Sequence, residues 1–220
     1  MTKSNKRRDI LTVAIVFVFT LVALLLVGWV NGIARGFPLA MQLILMTAAW
    51  WPMLAATIFF MRRDKEGLGD IGFSKENIPM QILLGVPVAA VSLFIFIALP
   101  GLFGFQMGFH QEMNPLTVVL EFVRILLSVA LVEEIIFRGH IFKKLQDINN
   151  SKWFAILISS VLFGLFHILN WNPLQIVVTT IIGIYWCLCR DRFKHCTLLT
   201  LIVAHALHNL LIPVVTGFFF

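Results

Sequence analysis

The stretch LVEEIIFRGH, Leu131 to His140, places two carboxylates and an arginine inside an otherwise apolar run. Glu134 and Arg138 stand four residues apart, so on a helix they share one face with the acid in the better, N-terminal position. Glu133 lies about 100° round the helix from Glu134 and lacks that partner. A charge at the bilayer centre costs at least about 2.5–3.5 kcal/mol, so retained charges usually pair inside a helix bundle. The stretch therefore predicts a bundle helix with one satisfied and one available carboxylate.

The rest of the chain has the composition of a membrane protein. It has 220 residues, 60% hydrophobic and 13% charged, with a mean hydropathy of +0.93, whereas a soluble domain carries about 25% charged residues. The net charge of +6 comes from Lys and Arg grouped at the ends of apolar segments, which orients membrane proteins. The composition predicts an all-α, polytopic helical bundle in the lipid bilayer, and it does not indicate a nucleic-acid partner.

Seven apolar segments are long enough to cross a bilayer, which takes about 20 residues. We predict spans at 10–31, 39–61, 79–100, 117–142, 153–170, 174–189 and 197–215. The first apolar run follows a basic N-terminus but is longer than the typical signal-peptide core of about 7–15 residues, so we expect it to be retained. We expect one integral membrane domain, with spans that carry no motif in 1–114 and the functional core in 115–220.

Orientation follows from the short loops. Four basic clusters fall on one side of a seven-span arrangement: Lys3 to Arg8, Arg62 to Lys65, Lys143 to Lys152, and Arg190 to Lys194. The loops on the other side hold Arg35 and no further Lys or Arg at 101–114 or 170–173. Because cytoplasmic loops carry the excess of Lys and Arg, we predict a multi-pass protein of the cell membrane, with its N-terminus in the cytoplasm and its C-terminus outside.

Two more polar motifs interrupt later spans: FGLFH, which ends at His167, and HALHN, from His205 to Asn209. If α-helices flank a turn at Asn150, then Glu133 and His167 each lie 17 residues from it, or about 25 Å at about 1.5 Å per residue. The two would face each other, provided that the fourth helix continues beyond its apolar segment to about residue 147. His205 is about 14 Å into the last span, a looser match. Small residues at 160 and 164 are expected to pack the fifth helix closely against a neighbour.

These side chains could hydrolyse an amide bond. A desolvated carboxylate facing a histidine can take a proton from a shared water near neutral pH, and a second histidine with an amide can donate to the developing oxyanion. The expected parts are Glu133, His167, His205 and Asn209. Glu133, His167 and His205 are also adequate zinc ligands, although no H-E-x-x-H is present, so spacing leaves zinc open. The cysteines at 187, 189 and 196 are expected to be buried packing thiols rather than a metal site.

In this order the motifs resemble those of the CAAX-protease and bacteriocin-processing (CPBP/Abi) family of intramembrane endopeptidases. Glu133 to Arg138 matches E-E-x-x-x-R, Phe163 to His167 matches F-x-x-x-H, and His205 to Asn209 matches H-x-x-x-N. The resemblance covers roughly 115 to 215 and implies a helical membrane protease. The family has been described both as metalloproteases and as metal-independent glutamate proteases, and we expect no cofactor because Asn209 suits an oxyanion hole better than a zinc shell. The resemblance implies that Glu133 and His167 activate water, that His205 and Asn209 stabilise the oxyanion, and that Glu134 and Arg138 support them. A zinc-dependent version, with Glu133, His167 and His205 as ligands, is the alternative.

The resemblance further implies that the substrate is a membrane-associated peptide or protein. Eukaryotic members trim prenylated proteins, whereas bacterial members are associated with bacteriocin self-immunity, peptide maturation and signalling; the short chain, without organelle-targeting features, favours a bacterial origin. A non-enzymatic immunity or peptide-binding protein is the competing class. A proton-coupled transporter also uses Glu and His in membranes, but the chain lacks two repeated halves with broken spans. The sequence assigns no role to His140 or His208.

Overall fold

The structure is a computed structural model that describes residues 3–111 and 114–220. Within that part of the chain there is no strand, and seven helices are long and apolar enough to cross a membrane. The seven are α1 (Asn5–Ala34), α2 (Leu39–Arg63), α3 (Ile78–Leu102), α4 (Pro115–Ile148), α5 (Lys152–Asn170), α6 (Pro173–Arg192) and α7 (Leu198–Thr216). The prediction of an all-α bundle with seven spans is confirmed. The fourth helix runs to Ile148, past its predicted apolar end at 142. This is the extension that was expected if Glu133 and His167 are to face each other.

Side-chain caps begin three consecutive helices, α4, α5 and α6. The Asn114 carboxamide oxygen accepts the backbone N–H of Thr117 at 2.9 Å at the start of α4, and Asn172 accepts that of Gln175 at 3.2 Å at the start of α6. The Ser151 hydroxyl caps α5 in the same way. Each cap satisfies an N–H group that the first turn of a helix leaves unpaired. The caps thereby set the depth of the residues that α4, α5 and α6 carry.

Glycines bring two pairs of helices close together. A Cβ at Gly164 of α5 would overlap the Thr180 hydroxyl of α6 and would lie 2.6 Å from the Ile176 carbonyl oxygen. A Cβ at Gly85 of α3 would lie 2.6 Å from Cγ1 of Val203 in α7. The absent side chains let the helix backbones approach, as small residues do in membrane bundles. The predicted packing role of Gly164 is confirmed.

The fourth helix departs from α geometry on both sides of its two glutamates. Segments Leu126–Ala130 and Ile135–Ile141 are π-helical, and the glutamates lie in the short α-helical stretch between them. Such π segments disturb the regular ladder of backbone hydrogen bonds and occur frequently at functional sites. The Arg190 guanidinium of α6 donates to the carbonyl oxygen of Arg138 at 2.5 Å, within the second π segment. Arg190 therefore fixes this part of α4 from outside the helix.

Ion pairs join the basic clusters at one end of the bundle. The Lys144 ammonium of α4 lies 2.6 Å from carboxylate oxygens of both Asp64 and Glu66 and 4.0 Å from one of Asp9. Lys152, at the start of α5, lies 2.5 Å from a carboxylate oxygen near the end of α6, that of Asp191. These contacts bring together the start of α1, the ends of α2, α4 and α6, and the start of α5. We call this end of the bundle the basic face.

Pairing on the basic face shifts the pKa values of two carboxyl groups in the loop that follows α2. Burial acts to raise the pKa of Glu66, but neighbouring His140 and Lys144 outweigh it and lower that pKa to about 2. The hydrogen bond from Arg63 holds the pKa of Asp64 well below its usual range, against the effect of burial and with help from Lys144. Both groups are therefore carboxylates at neutral pH, and they stabilise the basic face as anions.

The opposite end carries the loop between α3 and α4 and the turn between α5 and α6. Gly108 lies so close to α7 that a Cβ there would be 2.5 Å from Ile212 Cγ2 and 2.6 Å from the Thr216 hydroxyl. Gly104 has a φ of +79°, in the left-handed region that glycine adopts without strain. The loop can therefore bend back over the end of α7. We call this end, formed by 103–111 and 170–173, the distal face.

Candidate active site

A buried ionic chain links α4 to α7. Glu134 and Arg138 have no exposed surface, and Arg138 Nη1 donates to Glu134 Oε1 at 3.0 Å. The pairing expected from their spacing is present. The same carboxylate oxygen lies 2.9 Å from His205 Nδ1, a contact between residues far apart in the sequence. One carboxylate thus holds both an arginine of its own helix and a histidine of another.

This contact fixes the tautomer of His205. A carboxylate oxygen accepts hydrogen bonds, so Nδ1 carries the hydrogen and donates it to Glu134. The other ring nitrogen, Nε2, lies 3.7 Å from Glu133 Oε2. A carboxylate that orients a functional histidine through Nδ1 is a recurrent arrangement in enzymes. Glu134 therefore aims Nε2 of His205 at the second glutamate.

Aromatic rings enclose the ionic chain. The Arg138 guanidinium carbon lies 3.8 Å from the centre of the Phe163 ring and 5.2 Å from that of Trp186. Trp186 also packs on His205, with the ring centres 4.8 Å apart. A cation over an aromatic face is attracted by the ring, most strongly away from water. Trp186 lies in a span whose sequence carries no motif, and its packing role could not be predicted from its neighbours in the chain.

The predicted site residues line one cavity. Its volume is about 370 Å³, and Glu133, His167, His205 and Asn209 all contribute to its wall. Glu133 and His205 are buried, whereas His167 and Asn209 are half-buried. The three helices that carry the motifs, α4, α5 and α7, meet here, and α3 and α6 also contribute to the wall. The cavity is large enough for a water molecule together with part of a peptide.

His167 is held so that one nitrogen remains for chemistry. Its Nδ1 lies 3.0 Å from the Phe163 carbonyl oxygen, one turn earlier in α5. A carbonyl oxygen accepts, so Nδ1 carries the hydrogen and the unprotonated Nε2 can accept one. His167 and Glu133 can therefore both act as acceptors toward a water between α4 and α5.

His208, for which no role could be predicted, also lines this cavity. Its Nδ1 lies 2.9 Å from the Ser92 hydroxyl of α3, which itself donates to the Ala89 carbonyl oxygen at 2.9 Å. The hydroxyl hydrogen is thus used, and Ser92 accepts from His208. The contact joins α3 to α7 beside the site. The Ser92 partner could not be identified from the sequence, because α3 carries no motif.

A second cavity lies on another side of the same two residues. It has a volume of about 510 Å³, is lined by α1 and Trp50 as well as α5, and shares Glu133 and His167 with the first cavity. Three primary amides contribute to its wall: Asn31, Asn170 and Gln175. The Asn170 side-chain amide donates to that of Gln175 at 3.1 Å, whereas Asn31 Oδ1 is buried and accepts no hydrogen bond from any residue that the structure describes.

In the part of the chain that the structure describes, the side chains of the alternative zinc ligands make other contacts. Among the described residues, no three His, Cys, Asp or Glu side chains are grouped so that they could hold a metal ion. His205 directs its two nitrogens at two different carboxylates, and His167 uses Nδ1 on its own helix. A zinc ligand set needs several donor atoms within about 2.0–2.2 Å of one point. The three cysteines are free and buried, as expected of packing thiols.

Comparison with known proteins points to the same region. The family model described as type II CAAX prenyl endopeptidase Rce1-like matches residues 115–211. No curated protein and no solved structure matches the chain significantly. The matched segment begins with α4 and ends within α7, so it contains all six predicted site residues: Glu133, Glu134, Arg138, His167, His205 and Asn209. The resemblance to CAAX proteases is confirmed.

Proposed function

We propose that this membrane protein is a protease that cleaves peptides by means of a water activated by Glu133 and His167. The match of residues 115–211 to the family model of type II CAAX prenyl endopeptidases (Rce1-like) supports the protease assignment. The observation that supports this most directly is the shared cavity, which Glu133, His167, His205 and Asn209 line together. The proposal is a metal-free mechanism in which Glu133 is the base.

The proposed reaction is hydrolysis through a tetrahedral intermediate. Glu133 takes a proton from the water while His167 Nε2 accepts a hydrogen bond from it, and the water oxygen attacks the peptide carbonyl carbon. The carbonyl π bond opens and its oxygen becomes an anion. Glu133 then returns the proton to the peptide nitrogen, the C–N bond breaks, and a carboxylic acid and an amine leave. Water is the only reactant besides the peptide.

We assign the oxyanion to His205 and Asn209. An amide N–H of Asn209 can donate to it directly. The Nδ1 hydrogen of His205 is committed to Glu134 at 2.9 Å, so donation from Nε2 requires a second hydrogen on the ring. The Glu134 carboxylate stands where it can balance the resulting positive charge. Glu134 and Arg138 are thus positioning residues that act through His205.

The second cavity supports a peptide as the substrate. Its three amides, at 31, 170 and 175, each offer a donor and an acceptor, and the backbone of a peptide offers the same pair at every residue. A purely apolar chain would leave Asn31 Oδ1, which accepts no hydrogen bond from any described residue, without a partner, which costs free energy. We propose that the peptide extends from the first cavity into the second, with its scissile bond at Glu133. We further propose, from the family resemblance, that the protein acts in a bacterial membrane, in peptide maturation or bacteriocin self-immunity.

The test is to compare peptides from membranes and culture medium of cells that express wild-type protein or Glu133→Gln. The variant keeps the shape of the side chain but removes the base, so cleavage should fall by about 10²-fold or more, with normal yield. Glu121→Gln is the matched control, because Glu121 lies on the same helix but pairs with Arg124 outside the cavity. It should leave the peptides unchanged.

Two results separate this mechanism from its alternatives. Asn209→Ala should lower kcat by about 10²–10³-fold if the amide stabilises the oxyanion. A non-enzymatic immunity or peptide-binding protein would show the same peptides and the same biological activity with Glu133→Gln as with the wild type, and that outcome would remove the protease mechanism proposed for this site.

A further inference from the structure

Exposed residues at the mouth of the active-site cavity come from the distal face. Gln106 and Phe109 belong to the loop between α3 and α4, and Asn172 belongs to the turn between α5 and α6; all three line the cavity and are exposed. The second cavity is lined at its rim by Trp29 and Asn170, near the distal ends of α1 and α5. Both cavities that reach Glu133 therefore extend toward the distal face.

The same helix is closed in the other direction. From Ile136 to Ile141, every residue of α4 is buried. Ile71, in the loop between α2 and α3, is fully buried and packs toward Gly139, where an added Cβ would lie 3.3 Å from Ile71 Cδ1. Arg190 reaches across to the carbonyl oxygens of Arg138 and Ile71. Loop, helix and arginine thus fill the space between Glu133 and the basic face.

Ion pairs complete this closure. Lys144, which is 11 residues beyond Glu133 and thus about 16 Å along the helix at about 1.5 Å per residue, is buried between Asp64 and Glu66. A cavity of about 150 Å³ does open beside Arg190 and Phe142, but none of the six site residues lines it. A peptide entering from the basic face would have to break these pairs, and each buried charge would then lose its partner.

From these two observations we infer that the active site receives its substrate from the extracytoplasmic face of the membrane. The inference rests on the proposed protease function and on the assignment of the basic face to the cytoplasm, which follows from its four clusters of Lys and Arg. It also gives the unassigned charges at positions 64, 66 and 144 a role, which is to close the cytoplasmic side.

This access defines the class of substrate. The scissile bond lies in a segment that is exposed at, or can reach in from, the outer surface: the outer part of a membrane-inserted peptide or an extracytoplasmic chain held close to the bilayer. A lipid-modified C-terminus on a cytoplasmic protein would meet the closed face. The amides of the second cavity lie on the open side, where such a segment enters.

Cysteine labelling with a membrane-impermeant maleimide tests the inference without knowledge of the substrate. Val129 and Phe137 stand one turn before and after Glu133 on α4; Val129 lines both cavities, whereas Phe137 is fully buried on the basic side. Val129→Cys should be labelled in right-side-out membrane vesicles and protected in inverted ones. Phe137→Cys should be protected in both and labelled after denaturation. The wild-type chain, whose three cysteines are buried, gives the background.

Orientation is read in the same experiment from two exposed positions. Trp171→Cys on the distal face should react in right-side-out vesicles, and Lys75→Cys, between α2 and α3, in inverted ones. The reverse pattern would overturn the assignment of faces.

Labelling of Val129→Cys from the inverted side, labelling of Phe137→Cys in folded protein, or protection of Val129→Cys in both orientations would overturn the access route. If Phe137→Cys fails to accumulate, Ile141→Cys is the second buried probe. A failure of the proposed protease function would be seen in the peptide comparison with Glu133→Gln and would not change the labelling pattern. The failure of the access route and the failure of the protease function are therefore distinguishable.

Discussion

Replacing Arg138 by leucine should destabilise the protein strongly, because it leaves the Glu134 carboxylate without its cation. Both side chains have no exposed surface and lie 3.0 Å apart, and breaking a buried pair of this kind costs about 3–5 kcal/mol. The hydrogen bond from His205 to Glu134 is retained in the variant, which favours a loss near the lower end of this range. The lost contact with the Phe163 ring, at 3.8 Å, favours the higher end, since a desolvated cation over a ring contributes about 2 kcal/mol.

The magnitude corresponds to a shift of about 10²- to 10⁴-fold in the folding equilibrium, at about 1.36 kcal/mol per tenfold. The assay is thermal unfolding in detergent, together with the yield of monodisperse protein. Arg124→Leu is the control on the same helix: its pair with Glu121 is 2.7 Å long but 21% and 27% exposed, and such pairs are worth about 0–1 kcal/mol. Equal losses in the two variants would refute the assignment of a buried, structurally required pair.

A double substitution separates stability from activity. Glu134→Leu with Arg138→Leu removes both charges, and apolar replacement of a whole buried pair is often neutral or stabilising. Stability should therefore recover relative to Arg138→Leu alone. Cleavage should not recover, because His205 Nδ1 has lost the acceptor that fixes its tautomer. A double variant that cleaves normally would show that Glu134 does not position His205.

Three further outcomes are expected. The Glu66 carboxyl has an ordinary pKa of 4.5 and a pKa of about 2 in the folded protein. Because the folded value is the lower one, the stability that Glu66 contributes is present above about pH 4.5 and is lost as the pH falls toward about 2. Glu66→Gln should therefore weaken the pH dependence of the melting temperature between these two values. Gly164→Ala should collide with Thr180 and lower both thermal stability and cleavage by displacing α5, whereas Gly32→Ala, with nothing within 4 Å of the added carbon, should not. Elemental analysis of purified protein should find no stoichiometric zinc, and one zinc per chain with cleavage that stops on chelation would replace the proposed metal-free mechanism by the zinc-dependent one.

The sequence allowed us to predict that several of the candidate residues lie together, because their contacts follow from helical periodicity and from one turn. Glu134 and Arg138 meet at a spacing of four, and α4 and α5 are joined by a hairpin that brings Glu133 and His167 to one depth. The bond between His205 and Glu134 could not be predicted in this way. It joins helices that are separated by two other spans, and its register depends on where α7 begins, which is set by the cap at Thr197 and by packing against α3.

The second cavity could not be predicted from helical periodicity. Its wall includes α1, whose sequence is uniformly apolar apart from a few side chains such as Asn31, and neighbouring helices in a bundle are not specified by hydropathy. The shape of the cavity depends on the angle between α1 and α5. No pattern in the first hundred residues indicates that α1 approaches the glutamates, so its contribution to the site is visible only in three dimensions.

The three charges in LVEEIIFRGH have different surroundings in the folded protein. Arg138 and Glu134 neutralise each other and, through His205, tie α4 to α7, so their cost in the membrane is offset by the pairing of all three groups. Among the residues that the structure describes, no Lys or Arg lies within salt-bridge distance of Glu133, and the nearest basic group is the ring of His205, at 3.7 Å. Glu133 faces two cavities that extend toward the distal face. A carboxylate that is buried without a permanent partner contributes little to stability, and its substitution by glutamine should leave the fold intact. A buried group that can be removed without harm to folding, at the point where two cavities meet, is the expected location of the base.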